Sequence, residues 1–563
     1  MTAIHPREVP PHTVSALEAT GVSPFLARLF AARGVCSPAE LDLSFKALLT
    51  PDLLTGTQAA AELLADAIEA GARIVIVADY DCDGATACAV GVRALRAFGA
   101  DVHYLVPDRM SLGYGLTPPM VELAARLEPD VLMTVDNGIS SIEGIAEARA
   151  RGMSTVITDH HLPGDTLPDA DVIVNPNQPG CRFPSKAMAG VGVMFYVMLA
   201  LRAELRSRGA IEAGREPNLA SLLDLVALGT VADVVKLDHN NRILVSQGLR
   251  RIRAGNMQSG IRALFAVAGR DASRATTSDL GFALGARLNA AGRIADMGLG
   301  IECLLADDAQ QALRLARELD DLNVGRREIE IDMQESASQL IETFSASGEE
   351  CTGITLFEPD WHPGVVGLVA SRVREKLHRP TIAFARGQDG ELKGSGRSIP
   401  GLHLRDALEL IARRVPILRF GGHAMAAGLT IHEVNLAEFR AVFGEVAASL
   451  LDPVDLQRRI DTDGSFVAAD VSLETARLLE REVWGQGFPL PVFDNVFHVE
   501  RQRVLKDRHL KLELSLGGTR FEAIRFNCAE RVPDMIRAAY RVVVNEYKGL
   551  SGVQLILEHF EAI

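Results

Sequence analysis

Cysteine is scarce in this chain of 563 residues, and its placement excludes two kinds of stabilising device. The seven cysteines are scattered, their number is odd, and no two of them form a C-x-x-C pair. This distribution indicates neither a disulfide framework nor a paired-cysteine zinc site. We therefore expect a protein of a reducing compartment and predict a cytoplasmic location.

The sequence also lacks a long apolar run, and its first residues do not show a signal-peptide pattern. Its most apolar stretch, VGVMFYVMLAL from Val191, is shorter than the roughly 20 residues that span a bilayer. The first residues, MTAIHPREVP, do not have the charged and then apolar order of a signal peptide. We expect no membrane partner and interpret the apolar stretch as a buried helix.

Positive charge is in deficit, because the formal net charge is −15. An acidic protein does not attract a polyanion through its overall charge. If this chain binds nucleic acid, it must do so through local basic surface and bound cations. The length predicts about three to four domains, and we see no internal repeat or low-complexity segment.

Strand and helix patterns alternate between residues 72 and 176. Continuous apolar runs separated by helical stretches predict a parallel sheet that is covered on both faces. Ligands of such sheets bind at the carboxyl ends of the strands. The predicted strands are IVIVADYD, VHYLVPDR, VLMTVDNG, STVITDHH and DVIVNPN, and the polar residues at their ends are Asp79, Asp108, Asp136, Asp159 and Asn175.

Three carboxylates crowd the first of these ends, in the stretch VADYDCDG. Asp79, Asp81 and Asp83 alternate there, and their mutual repulsion is costly unless a cation or a proton lies among them. Carboxylates with imidazole and without thiolates suit Mn²⁺ or Mg²⁺. A carboxylate that bridges two ions holds them roughly 3.5–4 Å apart, the spacing used for phosphoester hydrolysis. The other candidate groups are Asp136 in TVDNG, Asp159, His160 and His161 in TDHH, and Asp233 in GTVADVV.

Each of these elements has a simpler explanation when it is taken alone. An acidic pair after a strand is compatible with a solvated loop or a helix cap, and Asp233 could also be a cap. Asp, Asn and Gly are favoured in turns, and one of two adjacent histidines often satisfies only a backbone hydrogen bond. The joint pattern at successive strand ends is what favours a metal site. Side-chain alternation turns Cys82 away from its acidic neighbours, so we do not expect it to be a ligand.

The rest of the chain predicts three further regions. Residues 190–300 are mostly helical in pattern, and the following stretch, rich in helix formers, predicts one or two long helices that join two lobes. From about residue 350, TGITLF, GVVGLVASRVREKL and PTIAFA predict a second α/β domain, followed by the Gly-rich GELKGSGRSIPGLHLRDAL and FGGHAMAAGLTI. After Pro453, apolar and polar residues alternate as in a small antiparallel barrel.

The motifs DYDCDG, VDNG and DHH, in this order, resemble those of the DHH phosphoesterase superfamily. From about residue 40 to the end, the chain is similar to the bacterial single-strand-specific exonucleases of that superfamily. Ala286 stands where most relatives have proline, and Cys82 where alanine is usual, but neither is a presumed ligand. The motifs that carry this wider resemblance are ALGTVADVV, GARLNAAGR, WHPGVVGLVASRV, GSGRS and FGGHAMAAGLTI.

The resemblance implies two divalent cations, Mn²⁺ or Mg²⁺, and places His161 against the scissile phosphate. Which carboxylate binds which ion stays open. The implied catalytic residues are Asp136, His160 and His161. The implied metal ligands are Asp79, Asp81, Asp83, Asp136, His160 and Asp233.

Other groups suit the phosphates of a substrate. Arg397 and His423 lie among glycines, where backbone N–H groups can approach an anion, although paired glycines are also typical of tight packing. The resemblance implies that this second domain faces the metal site and binds the 5′-terminal phosphate. For the polar residues of RLNAAGR, the alternative to substrate binding is a structural role in buried salt bridges. The expected substrate-binding residues are Arg109, Tyr114, Arg287, Asn289, Arg293, Ser371, Arg372, Arg397 and His423.

The C-terminal barrel resembles an OB-fold, whose basic residues would follow a single strand. An aromatic such as Phe521 could stack on a base. A solvated strand face is the alternative explanation of the charges. The basic residues in question are Arg501, Arg503, Lys506, Arg508 and Lys511.

The resemblance as a whole implies a 5′-to-3′ exonuclease that releases 5′-mononucleotides from single-stranded DNA, in repair and recombination. We expect a monomer that acts with single-strand-binding protein and a helicase. One alternative is a shorter relative that degrades short RNAs, cyclic dinucleotides or pyrophosphate, against which the barrel argues. Another is a replication scaffold without metals, against which the complete ligand set argues.

The expected fold class is α/β. A parallel-sheet DHH domain is joined by a long helix to a second, smaller α/β domain, and a C-terminal OB-fold β-barrel follows. The expected boundaries are 1–45 for an N-terminal segment, 46–300 for the DHH domain, 301–345 for the connecting helix, 346–455 for the DHH-associated substrate-binding domain and 456–563 for the OB-fold domain.

Overall fold

The computed structural model describes residues 2–107, 114–212, 214–346, 352–387, 389–547 and 549–563. The chain forms two compact units. The large unit contains residues 4–320 and 461–563, and the small unit contains residues 321–460 with the first residues of the chain. The large unit is therefore built from two stretches that are far apart in sequence.

A parallel sheet of five strands forms the centre of the large unit, with the strand order β3-β2-β4-β5-β6. Its central strand β4 is buried along its whole length, and the neighbouring β2 and β5 are buried except at their first residues, because helices cover both faces. This sheet confirms the prediction from the alternating apolar runs. The elements up to its last strand are β1 (Thr2–Pro6), α1 (Pro11–Glu18), α2 (Pro24–Ala31), α3 (Thr57–Ala70), β2 (Arg73–Ala78), α4 (Cys82–Ala97), β3 (Asp101–Leu105), α5 (Pro118–Ala125), β4 (Val131–Val135), α6 (Ile142–Ala150), β5 (Ser154–Thr158) and β6 (Val172–Val174).

Helices follow the sheet, and the first of them contains the apolar stretch, which is buried as expected. Among the residues that the structure describes, no helix has both the length and the apolar character required to cross a membrane. The predicted connection between the lobes is a single helix of 38 residues. The elements are α7 (Gly190–Ser207), α8 (Leu223–Ala232), α9 (His239–Arg253), α10 (Ser259–Val267), a π-helical turn (Asp279–Gly285), α11 (Ala286–Ile294), α12 (Gly298–Leu305) and α13 (Ala309–Ala346).

The small unit contains a mixed sheet with the order β10-β11-β9-β8-β7, in which only β7 and β8 run parallel. Its core includes Phe384, Phe439 and Phe443. Its elements are β7 (Ile354–Phe357), α14 (Val366–Leu377), β8 (Thr381–Arg386), β9 (Glu391–Arg397), α15 (Leu404–Ala412), β10 (Arg419–Gly422), β11 (Ala426–His432), α16 (Leu436–Leu450) and β12 (Arg458–Thr462), the last of which pairs with β1.

The C-terminal strands close into the expected barrel, in the order β13-β14-β15-β17-β16. All of its strand pairs are antiparallel except β15 with β17. Phe521 is only 8% exposed because the alternation of β15 turns it inward, so the suggestion that it stacks on a base is wrong. The elements are α17 (Leu473–Arg481), β13 (Phe493–Leu505), β14 (His509–Leu516), β15 (Thr519–Arg525), β16 (Met535–Tyr547) and β17 (Leu550–Ala562).

A buried ion pair links the start of the barrel region to the N-terminal helices. Arg33 donates from Nη1 and Nη2 to the two carboxylate oxygens of Asp463, at 2.7 and 2.9 Å. The two side chains are 0% and 2% exposed. The guanidinium of Arg33 also lies over the Trp484 ring, 4.9 Å from its centroid. These contacts explain why residues 461–563 belong to the same unit as the parallel sheet.

Candidate active site

The loop between β2 and α4 holds the first two carboxylates, and the third, Asp83, lies in the first turn of α4. Asp79 follows the buried strand and is 6% exposed. Asp81 is the N-cap of α4, and its Oδ1 accepts a hydrogen bond from the Gly84 N–H at 3.0 Å. The cap explanation is therefore correct for one oxygen of Asp81. A cap uses only one of the lone-pair positions of a carboxylate, so Asp81 can still bind a cation.

The N-terminus of α7 holds the third carboxylate. Asp83 is fully buried, and its oxygens accept hydrogen bonds from the N–H groups of Gly190 at 2.6 Å and Val191 at 2.9 Å. These groups carry the partial positive charge of a helix N-terminus, which stabilises a carboxylate. Gly190 also lies close to Asp136, because a Cβ atom at residue 190 would come within 2.7 Å of Asp136 Oδ1. The approach of α7 to the site therefore requires glycine there.

Asp136 directly follows β4 and has a left-handed backbone conformation, with φ = 62°. This conformation is uncommon for residues other than glycine and is often found at functional sites. Its Oδ1 lies 3.1 Å from His160 Nε2. Asp83 Oδ2 lies 3.9 Å and Asp233 Oδ2 3.5 Å from the same nitrogen. The structure therefore gathers His160 and three predicted carboxylates at one point.

The donor set fits a divalent cation. The buried atoms Asp136 Oδ1 and His160 Nε2 are close together, yet within the described residues neither has a hydrogen-bond partner of acceptable geometry. Two buried donor atoms that face each other without a satisfied hydrogen bond need another partner, and a shared cation would supply it. Three groups of ligand atoms, each within 4.8 Å of one another, overlap at this point: Asp136, His160 and His161; Asp83, His160 and Asp233; and Asp79, Asp81 and Asp136.

Crowding of negative charge shifts the pKa values of these carboxyls. Burial and the charge of Asp233 raise the pKa of Asp83 to about 7. Burial and the charge of Asp81 raise the pKa of Asp233 to about 8. Burial, followed by the charge of Asp83, also holds the pKa of Asp136 well above its usual value. A cation among them would relieve this repulsion.

The two histidines have opposite electrostatic surroundings. Burial and the charge of His161 lower the pKa of His160, which keeps its imidazole neutral and available as a ligand. Burial also opposes protonation of His161, but the charge and hydrogen bond of Asp159 outweigh it and raise the pKa of His161 to about 10. Asp159 therefore favours the protonated form of His161.

Asp159 fixes the position of this imidazolium. Its side chain accepts hydrogen bonds from His161 Nδ1 at 2.7 Å and from the backbone N–H groups of His160, His161 and Ile139 at 2.7, 3.1 and 2.9 Å. Burial alone would raise the pKa of Asp159, but the charge and hydrogen bond of His161 lower it to about 2. The phenol oxygen of Tyr114 lies 3.3 Å from both ring nitrogens of His161. Asp159 therefore acts as an anchor for the histidine pair.

Helix α11 supports the acidic loop from behind. Asn289 Oδ1 accepts a hydrogen bond from the Cys82 N–H at 2.8 Å. A methyl group at Gly292 would overlap the carbonyl oxygen of Tyr80, so glycine lets this helix contact the loop. Arg287 is 8% exposed and pairs with Asp320 at 2.8 Å. The buried-salt-bridge explanation of RLNAAGR is therefore the one that the structure favours for Arg287. Arg293 lies at the end of the same helix.

The predicted substrate-binding residues of the small unit lie on α14, β9 and the turn after β10. Ser371 Oγ donates to the Gly367 carbonyl oxygen at 3.1 Å. Arg372 pairs with Glu330 and Glu375 at 3.1 and 3.3 Å. The remaining two are Arg397, whose Nη1 donates to Ser395 Oγ at 3.0 Å, and His423, which follows β10. Arg109, like Asp108, lies outside the described residues.

Several supporting residues were missed by the sequence reasoning. The Asn175 and Asn177 side-chain amides donate to the carbonyl oxygens of His161 and His160, at 2.9 and 2.6 Å. Asn175 was visible as a strand-end residue. Nothing marked Gly190, because it lies 107 residues from Asp83 in sequence.

Three regions of the chain match known protein families, and these matches define the class of protein. Residues 73–230 match the DHH family, N-terminal domain, residues 351–449 match the DHHA1 domain, and residues 462–559 match the RecJ OB domain. With the acidic site on its parallel sheet, the chain is thus a metal-dependent phosphoester hydrolase of the DHH type, with a C-terminal OB-fold.

The chain belongs to the RecJ family. It is 52% identical over 548 residues to the single-stranded-DNA-specific exonuclease RecJ of Dickeya dadantii, covering 95% of both chains. It is 49% identical over 550 residues to that of Escherichia coli, again with 95% of both covered. The resemblance seen in the motifs is therefore confirmed.

Solved structures agree with this assignment. The crystal structure of RecJ in complex with Mn²⁺ from Thermus thermophilus superposes with a TM-score of 0.83 at 30% identity, over 100% of this chain and 80% of that one. A structure of exonuclease RecJ bound to manganese has a TM-score of 0.59 at 35% identity, over 71% of this chain and 96% of that one. The expected fold class is confirmed.

Proposed function

We propose that this protein hydrolyses single-stranded DNA from its 5′ end and releases 5′-mononucleotides, with two Mn²⁺ or Mg²⁺ ions as cofactors. The observation that carries the proposal is the pair of buried ligand atoms, Asp136 Oδ1 and His160 Nε2, facing each other at 3.1 Å among crowded carboxylates. The substrate is inferred from the relatives, which are named single-stranded-DNA-specific exonucleases.

The overlap of the ligand groups supports a site for two ions. Asp136 belongs to two of the three groups, as does His160, and a carboxylate shared in this way is suited to bridging. Bound divalent ions would supply positive charge to phosphate oxygens and lower the pKa of a water molecule. The proposed ligands are Asp79, Asp81, Asp83, Asp136, His160 and Asp233.

His161 is the residue proposed to contact the scissile phosphate. Its Nδ1–H donates to Asp159 at 2.7 Å, which fixes the ring and directs the Nε2 side away from Asp159. In this orientation, an imidazolium Nε2–H can donate to a phosphate oxygen and oppose the charge that develops there. Tyr114, with its hydroxyl beside the same ring, is placed to help orient the strand.

The predicted substrate-binding residues are the starting point for the proposed contacts with the strand. Arg287 is buried and paired with Asp320, and Asn289 accepts a hydrogen bond from the acidic loop, so we assign both to structural roles and not to DNA contact. The barrel offers exposed basic groups near the turn between β13 and β14, namely Arg501, Arg503, Lys506 and Arg508, with Lys511 paired to Glu522. The proposed DNA contacts are Arg109, Tyr114, Arg293, Ser371, Arg372, Arg397 and His423.

The setting of the reaction is proposed from the family. We infer a role in DNA repair and recombination, as a cytoplasmic monomer that works with single-strand-binding protein and a helicase. The proposed division of the chain into functional segments has the boundaries 1–45, 46–300, 301–345, 346–455 and 456–563.

A nuclease assay with Asp136→Asn tests the proposal. The substrate is a 5′-phosphorylated 40-mer with a label at either end, single-stranded or paired, with Mn²⁺. We expect mononucleotides from the 5′ end of the single strand, and a loss of more than about 100-fold in the variant, the upper limit of what a change behind the ligands produces. Release from the 3′ end, equal cleavage of the duplex, or an undiminished rate in the variant would contradict the proposal. A preference for pyrophosphate or short RNA would favour the alternative hydrolase.

A further inference from the structure

One aromatic ring near the site has no structural explanation. Phe282 is 82% exposed, more than any other phenylalanine, tyrosine or tryptophan in the part of the chain that the structure describes. It lies on the π-helical turn Asp279–Gly285. Such turns are rare and are frequently found at functional sites. A ring exposed to this extent contributes almost no burial to stability, so its role lies outside the core.

The turn that carries Phe282 is seated on the end of α8. A Cβ atom at Gly285 would lie 2.9 Å from the Cβ of Ala232, so the turn and the helix are in close contact. The next residue is the proposed ligand Asp233. Val234 follows in a left-handed conformation, with φ = 62°, and is 62% exposed. This conformation is strained for a β-branched residue. An exposed apolar side chain therefore directly follows Asp233, and the turn that carries Phe282 packs against the preceding residue, Ala232.

Residues that flank this turn and the end of α8 contact the segment that precedes the barrel. Thr277 Oγ1 donates to the Trp484 carbonyl oxygen at 2.6 Å, and the Leu237 N–H donates to the Gln486 carbonyl oxygen at 2.7 Å. Phe282 therefore belongs to a turn whose flanking residues contact the end of α8, next to Asp233, and the segment that precedes the barrel. All of these residues belong to the large unit.

We propose that Phe282 is a stacking platform for one base of single-stranded DNA as the strand passes between the barrel and the metal ligands. Val234 adds apolar surface next to Asp233. This inference rests on the proposed function. A base can stack on one flat ring whatever its identity. A protein partner requires a contiguous apolar patch, whereas the other exposed residues between positions 271 and 290 are Asp271, Ser273, Arg274 and Ser278.

The test measures the affinity for 5′-phosphorylated 15-mers whose phosphorothioate linkages resist hydrolysis, by fluorescence anisotropy with Mn²⁺. One series has a single abasic site moved stepwise from the 5′ end. We expect Phe282→Ala to weaken binding about 5- to 100-fold, as the loss of one stacked base does. One abasic position should weaken the wild type by a similar factor and leave the variant unchanged. Phe282→Trp should restore both affinity and position dependence.

Two further variants make the result specific. Phe282→Leu keeps an apolar side chain without a flat ring and should lose the position dependence. Phe45→Ala removes a ring that is 42% exposed on a turn before α3 and should bind like the wild type. Melting temperatures show whether each variant is folded.

The outcomes separate this inference from the proposed function. If the wild type degrades single strands while Phe282→Ala and Phe282→Leu bind every oligonucleotide as it does, the platform is refuted and the nuclease stands. If the wild type does not degrade single strands, the proposed function fails first. Normal DNA affinity with lost binding of single-strand-binding protein would assign Phe282 to a protein interface and overturn the inference.

Discussion

Replacing Asp159 by asparagine tests the claim that this carboxylate positions the catalytic histidine. Asp159 uses one oxygen for Ile139 and the other for the two histidines. Asparagine has the same shape but only one acceptor oxygen, so at least one buried N–H loses its partner. That loss costs about 1–3 kcal/mol of unfolding free energy. Residues that orient the groups of a metal site typically contribute 10- to 100-fold to affinity or activity, so we expect kcat to fall by about that factor.

The assay compares kcat on a 5′-phosphorylated single strand with stability in urea. The matched control is Asp171→Ala, because Asp171 Oδ2 accepts hydrogen bonds from the N–H and hydroxyl of Thr155, at 2.7 and 3.0 Å, near the opposite end of β5, and alanine removes both. The control should lose stability and keep kcat. A wild-type kcat in Asp159→Asn, or an equal loss in both variants, would refute the positioning role.

Asp159→Asn should also change the pH dependence of stability in the metal-free protein. Because the folded-state pKa of His161 is raised from 6.5 to about 10, its protonation adds stability that is complete below pH 6.5 and is lost as the pH rises through about 10. Asp159→Asn removes the main cause of this shift and should flatten the dependence. Urea titrations between pH 6 and 10 in the presence of a chelator measure it, and an unchanged slope would argue against the ion pair.

The remaining predictions concern a close helix contact, a buried charge and the ions themselves. Gly292→Ala places a methyl group against the acidic loop. It should reduce Mn²⁺-dependent activity by about 100-fold, as an ångström-scale displacement of catalytic groups does. The control Gly444→Ala, which has open space around it, should keep its activity. Asp463→Asn leaves Arg33 buried without a counter-ion and should lower the free energy of unfolding in urea by about 3–5 kcal/mol. The control Asp461→Asn, at a partly exposed ion pair, should lower it by under about 1 kcal/mol. Mn²⁺ at 100 times its Kd should stabilise the protein by about 2.7 kcal/mol per ion in thermal unfolding, reversed by a chelator, and an unchanged melting temperature would contradict the site.

The sequence predicted the parts of the molecule that follow from local periodicity. Apolar runs separated by helical stretches can form only a covered parallel sheet, and parallel strands bring their carboxyl ends to one edge. This geometry is why Asp83, Asp136 and His160 could be grouped although they are scattered along the chain. The closed barrel was predictable for a similar reason, since a period of two residues defines its strands.

Contacts between distant segments were not predictable in this way. The pairing of Asp83 with the N-terminus of α7 depends on how that helix crosses the sheet. The inward orientation of Phe521 depends on the phase of one strand, which a shift of one residue reverses. Arg287 has the same charge whether it binds DNA or Asp320, and only the packing of α11 and α13 decides between these roles.

The ion pair between Arg33 and Asp463 has a consequence for synthesis on the ribosome. A nascent chain that stops short of Asp463 already contains every proposed metal ligand. In such a chain, however, Arg33 has no carboxylate with which to form its buried ion pair. Because Asp463 and Trp484 follow the small unit in sequence, the contacts that hold Arg33 in the large unit form only after translation has passed residues 321–460. We expect interrupted translation products to be digested by proteases and not to persist as unregulated nucleases.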